Sequence, residues 1–228
     1  MANFNTHLNI AVVSTGLASA VLLSAAHIGL NSALWLWFLG AVGGLLPDID
    51  SDNSTSLDSI FNLFALSIVL IVLRHMTFTE THLIELITIP LAVYGVMRFL
   101  IRPVFEKITV HRGSCHSLLF LLFCALLTTQ LTWRLSADYT EQSEVIAWLS
   151  GGFVFLGGFI HLLLDEICSV DLQNARIKRS FGTALKLIDF NNKGLALLML
   201  MASGALVFIT PSPDETIKLL TNWSKLQL

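Results

Sequence analysis

Seven long apolar runs separated by short polar gaps constrain this chain more than any other feature. They cover about Leu8–Leu30, Leu34–Leu46, Ser59–Leu73, Leu83–Ile101, Leu118–Trp133, Val145–Leu164 and Leu195–Thr210. A helix needs about 20 apolar residues to cross a ~30 Å hydrocarbon core, and backbone in lipid must satisfy its own hydrogen bonds, so runs of this kind fold as helices. The second and third are short and are expected as tilted or partial crossings. Composition agrees: 54% of residues are hydrophobic, 13% are charged, and the mean hydropathy is +0.74. The expected fold is therefore an all-α polytopic transmembrane helical bundle of about seven spans over residues 1–210. Pro211 and Pro213 end it, and residues 211–228, with Ile217, Leu220, Trp223 and Lys225, read as a C-terminal interfacial amphipathic segment. The start of the chain lacks a positively charged n-region, so the first run is expected as a retained span.

A net charge of −3, with no basic excess and no interleaving of basic and aromatic residues, argues against a nucleic-acid partner and leaves membrane lipid as the expected one. Cys115, Cys124 and Cys168 form no Cys-x-x-Cys pair and are expected as free thiols.

Local signals mark where the spans end. Pro47 and Pro103 bias Leu46 and Arg102 away from helical backbone, and Pro90 is expected to kink the fourth run. The Gly151-Gly152 and Gly157-Gly158 pairs suit close helix approach or a bend in the sixth. Seven alternating crossings place Met1–His7, Pro47–Asp58, Arg102–Ser117 and Asp165–Gly194 on one face, which, with Arg98 at the end of the fourth span, then holds nine of the 13 Lys and Arg residues, so that face is expected to be cytoplasmic. His7, His111, His116 and His161 fall on or beside it, whereas His27, His75 and His82 fall on the other.

Three polar clusters interrupt the apolar pattern on that face. Asp48, Asp50 and Asp52 alternate just past a span, where mutual repulsion favours a cation; a solvated acidic loop is the plainer alternative. An EF-hand is excluded because Asn53 and Ser59 stand where its glycine and glutamate belong. In His111-Arg112-Gly113-Ser114-Cys115-His116, the five-residue spacing does not share one helix face, so a loop entering a helix is expected, with Ser114 as cap and open N–H groups for an anion. Arg112 suits bidentate binding of such an anion, or of lipid headgroups. His161 and Asp165 end the sixth run four residues apart, on one helix face, as two metal ligands or as a hydrogen-bonded pair.

Taken in order, Thr6-His7, Leu46-Pro47-Asp48-Ile49-Asp50, His111-Arg112-Gly113-x-x-His116-Ser117 and His161-x-Leu163-Leu164-Asp165 make the chain resemble the YdjM-like family of inner-membrane, metal-dependent hydrolases. The resemblance runs from the N-terminus to about Lys186. It implies a bacterial inner-membrane protein with His7, Asp48, Asp50, His111, His116, His161 and Asp165 as metal-site candidates. Cys115 and Ile167-Cys168-Ser169 depart from the family's usual threonine-containing segments, and Gly182–Lys186 matches its glycine and tryptophan-proline segment only loosely.

Mixed His/Asp ligation suits zinc first, then manganese or iron, better than calcium. The expected activity is metal-dependent hydrolysis at the cytoplasmic face, on a lipid or phosphorylated amphiphile, with Asp50 as proton acceptor and Arg112 stabilising developing charge. Two other classes compete: a metal-handling or transport protein, which needs ionisable residues at mid-span, and a non-catalytic membrane scaffold, whose polar motifs tolerate substitution.

Overall fold

The computed structural model describes residues 4–50, 54–76, 82–104, 115–136, 141–171, 176–177 and 185–222. The chain packs as two compact units, Met1–Pro47 with Ser114–Leu228, and Asp48–Gly113.

In the first unit, α1 (Phe4–Ser24), α2 (Leu30–Gly43), α5 (Leu118–Arg134), α6 (Glu141–Cys168), α7 (Lys193–Ile209) and α8 (Asp214–Thr221) follow in chain order. An antiparallel pair of two-residue strands, Val170–Asp171 and Arg176–Ile177, comes after α6. Helix α6 is the centre, packing against α1, α2, α5 and α8. Helix α1 buries His7, Ala11, Thr15, Ser19 and Leu22, a three-to-four-residue rhythm that sets one face inward. Leu22, Ala33, Leu36, Val145, Leu149 and Phe153 form the apolar core of α1, α2 and α6.

The first run was expected to continue to Leu30, but α1 stops at Ser24. Ala26 takes a left-handed conformation (φ 55°), His27 N–H donates to Leu22 O and Ala26 N–H to Leu23 O, the two bonds of a Schellman stop. The chain then restarts as α2 from the Gly29 N-cap.

Close contact of α2 with α6 depends on missing side chains. A Cβ at Gly157 would overlap the Gly40 carbonyl oxygen and one at Gly43 the Val154 carbonyl oxygen, while toward α1 one at Gly44 would overlap the Ala11 side chain. On the α5 side, Gly151 meets Thr129 and the Ala125 carbonyl, and Gly158 meets Leu121. The glycine pairs thus serve close approach, and α6 runs unbroken through both. Gly152 faces open space.

The second unit pairs α3 (Ser54–Met76) with α4 (Leu83–Val96), which passes through a π-helical turn, Met97–Ile101. Pro90 lies inside α4, and the departure from α geometry comes later, at the π turn. Arg102 is helical (φ −56°, ψ −53°), contrary to the expectation set by Pro103, and the helix continues to Val104. Arg102 N–H reaches back five residues to Met97 O, a π-type bond that holds it in the helix despite the bias set by the following proline.

Every expected run coincides with a helix, and among the described residues the regular structure is helical apart from the strand pair. Among the described residues, Asn5–Ser24, Leu83–Val104 and Gln142–Cys168 are long and apolar enough to cross a membrane. The pair α7 and α8, bent by 85°, makes a fourth if taken as one span, while Leu30–Gly43, Phe61–Leu70 and Leu118–Arg134 are shorter apolar helices.

The glycine contacts make opposite predictions for two substitutions in one helix. Gly157→Ala destabilises by about 1–3 kcal/mol through overpacking against backbone. Gly152→Ala stabilises by roughly 0.5–1 kcal/mol, the ordinary helix preference for alanine. Thermal unfolding of both variants in detergent measures the difference. Ala26→Gly is expected to stabilise by about 1 kcal/mol, by relieving the left-handed alanine.

Candidate metal centre

Four residues expected at the site are brought together within the first unit: His7, His116, His161 and Asp165, all buried. Four helix ends deliver them or hold them. His7 stands in the first turns of α1 and heads its buried stripe, not in a loop before the helix as expected. His161 and Asp165 lie on one face of α6, which runs a turn beyond the expected end to Cys168. His116 directly precedes the Ser117 N-cap of α5. The last backbone group of the set is the Gly44 carbonyl, just past the end of α2.

Asp165 is the hub. His7 Nε2 lies 3.3 Å from Asp165 Oδ1, and His116 Nε2 and His161 Nε2 lie 3.7 Å and 3.9 Å from Asp165 Oδ2. The His7 and His161 rings stack with centroids 3.8 Å apart and planes 13° from parallel, while His116 meets His161 edge-on at 6.0 Å. His161 Nδ1 is 2.7 Å from Gly44 O. A carbonyl only accepts, so Nδ1 carries the proton and Nε2 presents its lone pair on the Asp165 side. This is the arrangement by which ligating histidines are commonly oriented, the second ring nitrogen donating to a backbone carbonyl.

The donor set fits a metal ion. Ligand atoms of His7, His161 and Asp165 all lie within 4.8 Å of one another and all three residues are buried. Bonds of 2.0–2.1 Å at tetrahedral angles place ligand atoms about 3.3 Å apart. The His7–Asp165 separation already equals that edge. Asp165 Oδ1 and His7 Nδ1 are buried and make no hydrogen bond among the described residues. A buried carboxylate oxygen beside an imidazole at that distance, without a bond of good geometry, is a group whose cost a cation would relieve.

The loop entering α5 differs from its expectation. Ser117, not Ser114, is the N-cap, its side chain accepting from Phe120 N at 3.2 Å. The next N–H groups are taken as well: Leu118 donates to Lys186 O and Leu119 to Leu187 O, and Ser117 and Lys186 form a parallel bridge. Bonds within the chain therefore occupy the helix start that was expected to receive an anion. Lys186 Nζ lies 3.2 Å from the buried Asp189, whose Oδ1 also accepts from Asn191 N. The sequence reading missed this segment and the Gly44 carbonyl; Gly43-Gly44 just ahead of Leu45-Leu46-Pro47 was the available signal for the latter.

Asp48, partly buried, and Asp50 stand in the 3-10 turn Leu46–Asp50. Both belong to the second unit, and the Asp50 side chain lies outside the described residues. His111, Arg112, Ser114 and Asp52 also lie outside them. The three cysteines are free thiols, as expected.

An apolar helical protein with a buried His/Asp cluster of metal-ligand spacing belongs among integral membrane proteins with a candidate metal centre. The chain is a member of the YdjM inner membrane protein family, whose model matches residues 1–210. No curated protein and no solved structure matches it significantly.

Ser117→Ala is expected to cost about 1 kcal/mol by removing the cap of α5. Thermal unfolding in detergent reads the loss.

Proposed function

We propose that this protein is a membrane-bound, metal-dependent hydrolase whose centre is built on His7, His116, His161 and Asp165. The observation that carries the proposal is the oriented pair: His161 held by the Gly44 carbonyl through Nδ1, with Asp165 and His7 closing around its other nitrogen. The donors are imidazole and carboxylate, which suit zinc most, then manganese or iron. Such an ion, when bound, supplies Lewis acidity toward a scissile bond and toward the attacking water.

The remaining roles fall to the chain. The Gly44 carbonyl fixes the His161 ring, and Asp165 orients three imidazoles from one carboxylate. Asp48 and His111 are proposed as further ligands from their places in the family motifs, Asp50 as the group that takes the proton, and Arg112 as the group that steadies developing negative charge. The proposed substrate is a lipid or phosphorylated amphiphile, reached at the cytoplasmic face of a seven-span bundle. Residues 211–228 are proposed as its interfacial anchor.

Placement at helix ends favours hydrolysis over transport. His7 opens α1, His116 precedes α5 and Asp165 lies one turn from the end of α6, whereas a transport pathway needs ligands at mid-span.

Elemental analysis of detergent-purified protein tests the centre. About one or two equivalents of zinc, manganese or iron are expected in the wild type, and a loss of at least tenfold in affinity in His116→Ala/His161→Ala. A folded wild type that neither retains nor takes up any of these metals refutes the proposal.

A further inference from the structure

Three of the four residues at the centre ride on helices, whose geometry fixes them: His7 on α1, and His161 and Asp165 on α6. His116 does not. It stands one residue ahead of the Ser117 N-cap of α5, so its place depends on what holds that helix start. A ligand works only when held to within about 0.5 Å of its geometry, which a residue outside a helix achieves when other groups lock it.

The lock is a segment about seventy residues on. Leu118 N–H donates to Lys186 O at 3.0 Å and Leu119 N–H to Leu187 O at 3.1 Å, while Phe120 N–H goes to the cap, Ser117 Oγ. Two of the first three N–H groups of α5 are thus held by Lys186 and Leu187, and Ser117 and Lys186 bridge in parallel register. Cys115, His116 and Ser117 are all buried, so the backbone that carries the imidazole has no solvent to shift into.

This strap is itself closed on one carboxylate. Asp189 is 2% exposed, and its Oδ1 lies 3.2 Å from Lys186 Nζ and accepts from Asn191 N–H at 3.4 Å. A single buried oxygen therefore ties the residue that holds α5 to the residue that leads into α7, whose N-cap is Asn192. A carboxylate at this depth is costly unless paired, and none of the hydrolytic roles above uses it.

We infer that Asp189, through its pairing with Lys186, is a positioning residue for His116. It fixes the strap, the strap fixes the start of α5, and that start sets His116 Nε2 against Asp165 Oδ2, 3.7 Å away. The inference rests on the reading of His116 as a ligand of the metal centre.

Cobalt(II) titration of the metal-stripped full chain in detergent tests it, because the visible bands of cobalt report its ligands while the same titration gives its affinity. The wild type is expected to bind cobalt with the bands of a mixed nitrogen and oxygen site. Asp189→Asn keeps the shape of the side chain and removes the charge facing Lys186. It is expected to weaken cobalt binding by about tenfold or more and to alter the bands, as loss of a residue that orients a ligand does. In a His116→Ala background the same change costs less than about twofold, since two changes acting through one ligand do not add. Asn192→Ala removes the neighbouring cap of α7 and lowers thermal stability, yet leaves cobalt affinity within about twofold. Lys186→Gln reaches the same pairing from its partly exposed side and takes the place of Asp189→Asn if that variant does not fold. A folded wild type that takes up no cobalt overturns the metal-centre reading and this one with it. Cobalt bound by the wild type and held as tightly by Asp189→Asn overturns the positioning role alone, as does an equal loss in the His116→Ala background or in Asn192→Ala.

Discussion

The contact of the α2 and α6 backbones through glycine is the constraint on which the first unit depends. Gly43 against the Val154 backbone and Gly157 against the Gly40 backbone remove the layer of side chains that normally separates two helices. In lipid, where no hydrophobic driving force favours one apolar surface over another, such proximity is what makes helices associate. It also has a chemical result. Only because the backbones touch does the Gly44 carbonyl come within 2.7 Å of the His161 ring. Packing thereby sets the tautomer of an imidazole, and with it the nitrogen that faces Asp165.

Around that imidazole the first unit concentrates groups that a membrane protein otherwise keeps apart. One carboxylate touches three imidazoles in a buried site whose donors come from α1, α6 and the residue before the α5 cap. Each of those helices presents a terminal turn, where backbone carbonyls and N–H groups are already seeking partners outside the helix. Gly44 satisfies its carbonyl through His161, and α5 satisfies its first N–H groups through Ser117, Lys186 and Leu187. Main-chain groups at the site therefore find partners within the chain, while Asp165 Oδ1 and His7 Nδ1 find none among the described residues, and the segment around Lys186 belongs to the arrangement with the histidines.

The elements that could be read directly from sequence were those fixed by local rules. Hydropathy placed each run on a helix, and the four-residue spacing of His161 and Asp165 put both on one face of α6, because the helical period needs no tertiary information. Other features required it. His7 looked like a polar residue ahead of a span, because the polar Asn5-Thr6 pair precedes it, yet the helix begins at Phe4 and buries His7 against α6. Ser114 and Ser117 were equally good caps by type; the pairing with Lys186, about seventy residues on, goes with the second. Pro103 misled for a related reason. The clash of a proline ring with the preceding N–H and Cβ biases that residue away from helix without barring it, and the π turn holds Arg102 helical through its N–H bond to Met97 O.

The cluster joins residues far apart in the chain. His7 stacks on His161, so the second ring of the stack is made only after 154 further residues. At about 5–20 residues per second, the usual pace of synthesis, that interval is roughly 8–30 s. The residues that join α1 to α2, among them Ser19 with its hydroxyl on Ala33 O and Trp37 with its ring nitrogen on Val12 O, are all made within the first part of that interval. The N-terminal hairpin is therefore an early scaffold with a polar residue held in reserve, and α6 is the piece that closes the chain on itself.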